Sequence, residues 1–214
     1  FVQTPEAFAR RFRIDVRTNS EVTAIHPDKK TVEIKGPDGA TYEESYDRLL
    51  LSPGAVPFRP SLPGIDLPGI FTLRNVADTD AVKSYLGSHN VRRALVIGGG
   101  FIGLEMAENL QEAGAEVAVV EMADQVMAPI DYSMAAIVHQ HLLEHGVTLY
   151  LNTAVTSFEQ GSDGLTVTFA SGEKVNADIV ILSIGVRPAN SLALQAGLQT
   201  GARGGITVNE YLRT

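Results

Sequence analysis

Three glycines, Gly98, Gly100 and Gly103, stand at the spacing G-x-G-x-x-G, and a carboxylate, Glu121, follows roughly 20 residues later. Each glycine has a separate task at a phosphate site. The first permits a tight turn out of a strand, the second lets the backbone approach a pyrophosphate, and the third lets a helix pack closely on the strand. Taken alone the three are a weak signal, because a flexible Gly-rich loop reads the same way. Their context is specific: an apolar strand over Ala94–Ile97, the turn GGGFIG, a helix over Ile102–Ala113, a turn at Gly114 and a strand over Glu116–Glu121. In that βαβ unit the helix N-terminus faces the phosphates and Glu121 reaches a ribose 2′-hydroxyl. Residues 92–121 are therefore expected to bind the ADP half of a nicotinamide dinucleotide. Glu121 would repel the extra phosphate of NADP, and Met122 and Ala123 supply no arginine to accept it, so NADH is favoured over NADPH. The plain alternative for Glu121 is an ordinary strand-end charge.

Other reactive types lead less far. His139, His141 and His145 fall on one predicted helix, the last two at a spacing that can hold a metal, but no third ligand is evident and a solvated face is the expectation. Met122, Met127 and Met134 read as packing residues. The chain has no cysteine, which excludes disulfides, thiolate metal sites and thiol catalysis within it.

The elements that must position these groups alternate. Thr4-Pro5-Glu6 caps a short helix running to about Phe12, and Glu21–Ile25, Thr31–Lys35 and Thr41–Ser45 alternate as strands, with Gly36-Pro37-Asp38-Gly39 a hairpin turn. Leu49-Leu50-Leu51 reads as a buried strand. From Ser52 to Gly69, closely spaced prolines and glycines among apolar residues suggest an irregular crossing between layers. Asn75–Leu86 looks helical, Asp131–His145 is a second helix after the βαβ unit, and Val147–Leu151 the strand it feeds. Strand and helix alternation implies a parallel sheet. Residues 154–176 change to an antiparallel hairpin, Asp178–Ser183 returns as a buried strand, and the chain closes at Thr214 after an apparent strand.

Composition sets limits on function. Lys and Arg are outnumbered 17 to 25, a formal charge of −8, which argues against a phosphate-backbone partner such as nucleic acid. A single dinucleotide is not forbidden, since backbone N–H groups bind phosphate locally. No apolar run approaches the roughly 18–20 residues of a membrane span, and no signal peptide is visible, so a cytoplasmic protein without a membrane partner is expected. An opening at Phe1 rather than Met suggests a segment of something longer.

The run VRRALVIGGGFIGLEMAENLQEAGAEVAVVE, with YDRLLLSPGAVPFRPSLPGID and FTLRN before it and ILSIGVRPAN after it, closely resembles the FAD-dependent pyridine nucleotide-disulfide oxidoreductases. Within them it is most similar to coenzyme A-disulfide reductases and their NADH oxidase, NADH peroxidase and persulfide reductase relatives. The resemblance implies an α/β fold: a Rossmann-like NAD(P)-binding domain over residues 91–214, with a central parallel sheet and an antiparallel insertion, and part of a similar FAD-binding domain over residues 1–90. By the same resemblance Ser52, Pro53, Gly54 and Ala55 pass the flavin nucleotide and Arg74 contacts FAD. Phe101, with Ile102 beside it, stands where an aromatic covers the flavin face. Glu105 lies near the nicotinamide amide and a flavin-side lysine, and Gly185 close to the nicotinamide. Some relatives use a tyrosine near Ile130 to contact adenosine; here an aliphatic residue can only pack.

These readings imply a parent enzyme, a homodimer by resemblance, in which NADH reduces FAD and electrons pass through a cysteine outside this chain to a disulfide such as coenzyme A disulfide. Persulfide, peroxide or oxygen are the alternative acceptors. The segment itself is expected to bind NADH without turning over. Two other classes stay open: an NAD-linked dehydrogenase without flavin, disfavoured by the 154–176 insertion and the SPGA segment, and a non-enzymatic NADH-responsive binding domain.

Overall fold

The structure, a computed structural model, describes residues 3–214; Phe1 and Val2, where the first expected domain begins, lie outside the described residues. Helix α1 (Pro5–Phe12) starts where Thr4 accepts the Ala7 N–H at 3.2 Å, and it ends at Arg13 in the left-handed conformation. Strands β1 (Glu21–His26), β2 (Thr31–Lys35) and β3 (Thr41–Ser45) form an antiparallel sheet in that order, with Glu21 opposite Lys35 and Lys35 opposite Thr41. Alternation decides its faces: Ile25, Val32 and Ile34 turn inward. The expected strand at Leu49-Leu50-Leu51 is absent, and Leu50 is 88% exposed. Apolarity alone does not make a strand. Among the described residues no ladder pairs this stretch, and Leu51 alone packs on the Ile25 cluster.

The chain then runs through the three-residue β4 (Ala55–Pro57) and an irregular stretch into β5 (Ile70–Thr72) and α2 (Val76–Ser88), capped by a reciprocal Asn75–Asp78 box. There follow β6 (Arg93–Ile97), α3 (Phe101–Glu112), β7 (Glu116–Val120), α4 (Tyr132–Glu144) and β8 (Thr148–Tyr150). Beyond them a meander of β9 (Val155–Gly161), β10 (Gly164–Phe169) and β11 (Lys174–Ala177) leads into β12 (Ile179–Leu182). The parallel sheet has the order β5-β12-β6-β7-β8. From β6 the chain winds outward to β8 and then returns to lay β12 on the other side of β6, so the strand order reverses there. Such a switch point opens a crevice beyond the carboxyl ends of the strands.

Both faces of this sheet are covered, which is why its strands read as continuous apolar runs. Ala94, Val96, Val117, Val119, Ile179 and Ile181 pack against α2 and α3 through Val82, Ala107 and Leu110. Leu95, Ile97, Val120, Val180 and Leu182 pack against Phe158, Leu165, Val167 and Phe169 of the meander. The expected hairpin at 154–176 is thus three strands, and β5, too short to show a period, joins the sheet edge.

Strand β13 (Val186–Pro188) and α5 (Ser191–Gln195) close the fold, with Leu192 and Ala196 joining the Ile25 cluster. The apparent terminal strand is reduced to a single bridge between Thr200 and Ile206. Two compact units result, Phe1–Ala55 with Pro188–Thr214, and Val56–Arg187. This packing division falls at residue 55, whereas the expected domain border is at residue 90. Strand β5 and helix α2 belong to the parallel sheet and its helical layer, while the C-terminal tail returns to the first unit through α5. Among the described residues no helix is long and apolar enough to cross a membrane.

At the amino ends of β6 and β12, Asp178 accepts from the Arg92 and Arg93 amides at 2.9 and 2.8 Å and from the Arg93 guanidinium at 2.7 Å. Partial burial works to raise its pKa, but these donors and the Arg93 charge outweigh it and hold the carboxyl below its usual value. A depressed pKa contributes stability above the unfolded value and loses it as pH falls through the folded one. Asp178→Ala is expected to cost about 2 kcal/mol at pH 7 by urea denaturation, with the gap to the native protein shrinking between about pH 5 and pH 3. A gap that holds constant over that range would contradict the assignment.

Candidate functional site

At the carboxyl end of β6 the backbone turns at Gly98, with φ 106°. Its N–H donates to Val120 O at 2.8 Å, and the Ser183 hydroxyl at the end of β12 donates to Gly98 O at 2.9 Å. A side chain at Gly98 would place its first carbon 2.5 Å from Ser183 O, and one at Gly103 would run into the carbonyl oxygen of Gly98. Both glycines are therefore demanded by the protein's own packing. Gly100 is different. Its φ of −83° suits any residue, and nothing lies within 4 Å of where a side chain would begin. No packing contact requires a bare backbone there; glycine is a favoured helix N-cap, and here it leaves the turn open to a ligand.

The N–H groups around it point to the same conclusion. Gly99 N donates to Glu121 Oε2 at 2.7 Å, and Leu104 N closes the first helical bond to Gly100 O at 3.0 Å. Between them, Phe101, Ile102 and Gly103 are the first residues of α3, whose N–H groups have no acceptor within a helix. Thr4 caps α1 and Asn75 caps α2, whereas α3, like α4 and α5, has no side-chain cap and no acid in its first turn. Free N–H groups and the positive end of a twelve-residue helix thus converge on the open side of Gly100, an arrangement that accepts a phosphate.

This turn floors a mostly apolar cleft of about 690 Å³, within the range for a cofactor site. Of the residues singled out from the sequence, the structure brings Gly98, Gly100, Phe101, Ile102, Glu121 and Gly185 to its walls. Glu121 is held at both oxygens, Oε2 by Gly99 N and Oε1 by Ala123 N at 2.9 Å. Each oxygen retains a lone pair for a further donor such as a ribose hydroxyl. Gly185 has φ 99°, and its carbonyl accepts the Phe58 N–H at 2.9 Å. Phe101, 64% exposed, also borders a second, smaller hollow between α3 and α4, and it is there, not on the main cleft, that Glu105 lies.

Arg74 is exposed, with its backbone N–H on Asp78 Oδ2 at 2.7 Å. Ser52, Pro53, Gly54 and Ala55 belong to the other compact unit, where Gly54 has φ 72° and its carbonyl accepts from Ala189 N at 3.0 Å. Ile130 is half-buried, its carbonyl taken by Gln125 Nε2 at 2.9 Å.

Sequence reading missed Ser183, Ala128 and Pro129. Only Ser183 carried a signal, a hydroxyl ending an apolar strand. The methionines divide: Met127 is half-buried, whereas Met122 and Met134 are 76% and 55% exposed, so these two are not packing residues; Met122 lies on the cleft. His139 Nε2 accepts the Val126 N–H at 3.1 Å, and the His141 and His145 rings lie 4.2 Å apart. Among the described residues no group of three or more His, Cys, Asp or Glu is placed to hold a metal.

The family model of the pyridine nucleotide-disulphide oxidoreductases matches residues 5–214. The chain belongs to that family. An NADH oxidase of Methanocaldococcus jannaschii is 38% identical over 100% of this chain and 47% of its own length. A coenzyme A disulfide reductase of Staphylococcus aureus is 33% identical over 100% of this chain and 47% of its own. The solved structure of reduced Bacillus anthracis CoADR-RHD superposes with a TM-score of 0.92 at 50% identity, covering 99% of this chain and 38% of that one. The chain spans about half the length of the curated relatives it matches.

Gly100 and Gly103 differ in what a side chain there would meet. Gly103→Val is expected to destabilise by about 3 kcal/mol, because the helix start must move off Gly98. Gly100→Val should cost less than about 1 kcal/mol. Equal losses in thermal or urea unfolding would contradict that difference.

Proposed function

We propose that this chain binds NADH in the cleft over Gly98, Gly100 and Gly103, as the nucleotide-binding part of a flavoprotein oxidoreductase. The observation that carries the reading is the open approach at Gly100, where no atom lies within 4 Å of a side-chain position and the first N–H groups of α3 have no side-chain cap. In this reading the amides of Gly100, Phe101, Ile102 and Gly103 hold the pyrophosphate, and Glu121, fixed by two backbone amides, takes the ribose hydroxyls. Gly185 offers bare backbone on the cleft lining for the nicotinamide end, and the exposed ring of Phe101 shields it. Glu105, one turn further on, lines the smaller hollow between α3 and α4 and takes no part in the cleft in this reading. The exposed Ser52, Pro53, Gly54 and Arg74 and the half-buried Ala55 are assigned as flavin contacts, Gly54 offering bare backbone.

When both are bound, nicotinamide and flavin supply hydride transfer, and the protein's part is to orient them and exclude water. The proposed path runs from NADH through FAD to a cysteine outside this chain and on to a disulfide such as coenzyme A disulfide. Supporting it are the family itself, the relative named as a coenzyme A disulfide reductase, and the 50% identity to the CoADR-RHD structure. A carboxylate at Glu121 opposes a 2′-phosphate, worth on the order of 1–3 kcal/mol at an effective dielectric of about 20.

NADH titration followed by fluorescence should give at least roughly tenfold tighter binding than NADPH, and Gly100→Val should weaken NADH by about 100-fold while remaining folded. Unchanged binding in that variant would overturn the site. For the acceptor, the whole flavin-loaded protein is given NADH anaerobically with and without coenzyme A disulfide. Acceleration by the disulfide supports the proposed path; no acceleration over the blank, with rapid turnover on oxygen, peroxide or a persulfide, rejects it.

A further inference from the structure

The cleft wall formed by residues 121–130 has no regular secondary structure, yet it is fastened at every second or third residue. Ala123 N donates to Glu121 Oε1 at 2.9 Å and Met127 N to Gly99 O at 2.8 Å, while Gln125 Nε2 reaches Ile130 O. Met127 sits at φ 53°, a left-handed conformation that costs a non-glycine residue about 1 kcal/mol and persists only where its surroundings fix it. Val126 is completely buried, and its Cγ1 lies against Gly99, where a side chain would come within 2.7 Å. This segment therefore presses on the glycine turn from outside and presents Met122, Ala128 and Pro129 to the cleft.

One fastening comes from a different element. The Val126 N–H donates to Nε2 of His139, the eighth residue of α4, at 3.1 Å. The accepting atom is a ring nitrogen of the imidazole, one that accepts only through its lone pair. His139 is half-buried and does not line the cleft. A buried amide that lost this acceptor would be left unsatisfied, at a cost comparable to a lost hydrogen bond.

We propose that His139 is a positioning residue for the dinucleotide site: it latches the 121–130 wall through the Val126 amide and so holds Val126 and Met127 against the Gly99 turn. The proposal rests on the NADH reading above for its consequence, but the latch is a contact within the chain and can be read without ligand. Loss of the acceptor should loosen the wall and weaken NADH. It should leave the parallel sheet intact.

The test compares His139→Leu, which keeps bulk and loses the acceptor, with His139→Gln, whose side-chain oxygen can reach the same amide. Amide hydrogen exchange on the ligand-free protein should show the Val126 and Met127 amides exchanging at least about tenfold faster in H139L and near the native rate in H139Q, with β6 and β7 amides unchanged in both. NADH affinity should fall by about 5- to 20-fold in H139L and return to within about threefold in H139Q. Native exchange at Val126 in H139L overturns the latch, whatever NADH does. Equal loss in both variants, with β6 and β7 also exchanging faster, assigns His139 to general packing and overturns it too. If the exchange results hold but the native protein binds no NADH, the cleft assignment fails and the latch stands.

Discussion

The site depends on how closely three backbone segments meet at the end of β6. Gly98 O accepts the Ser183 hydroxyl and would be struck by any side chain at Gly103, so strand β12, the turn and helix α3 are locked within contact distance. That closeness fixes where the first turn of α3 points. It also explains why the covering of both sheet faces matters to function: the buried runs of β6, β7 and β12 bring Gly98, Glu121 and Ser183 to the same edge.

Within that frame a chain of net charge −8 can hold an anion because the attraction is local. The backbone contributes it through N–H groups at an uncapped helix end, while the nearest carboxylate, Glu121, is drawn aside by Gly99 N and Ala123 N. The same carboxylate that tightens the turn would oppose a second phosphate. Support then continues outward, from Val126 on Gly99 to His139 on Val126, so that precision at the glycine turn is held by layers that touch no ligand.

The βαβ unit was legible because its period changes from strand to helix around glycines whose spacing has a steric cause; Gly98 and Gly103 behave as that cause requires. Glu121 was legible for its place at a strand end, though its two amide bonds were not. Other elements escaped for physical reasons. Leu49–Leu51 has strand composition and no paired neighbour, a property of tertiary context. Strand β5 is too short to show a period, and the border between the compact units depends on a tail that returns from residue 188. His139 looked like a solvated helix histidine because the sequence holds no trace of the Val126 amide it meets. Glu105 stood two residues past the third glycine, yet its place on the turn of α3 directs it to the smaller hollow.

The central claim, that the dinucleotide pyrophosphate lies on the uncapped start of α3, is tested most directly by following backbone ¹H–¹⁵N resonances of the ¹⁵N-labelled protein as NADH is added. The largest downfield proton shifts are expected at Gly100, Phe101, Ile102 and Gly103, and smaller ones at Gly98 and Gly99, whose N–H groups are already bonded within the protein. Saturable binding that leaves those four amides unmoved would contradict it.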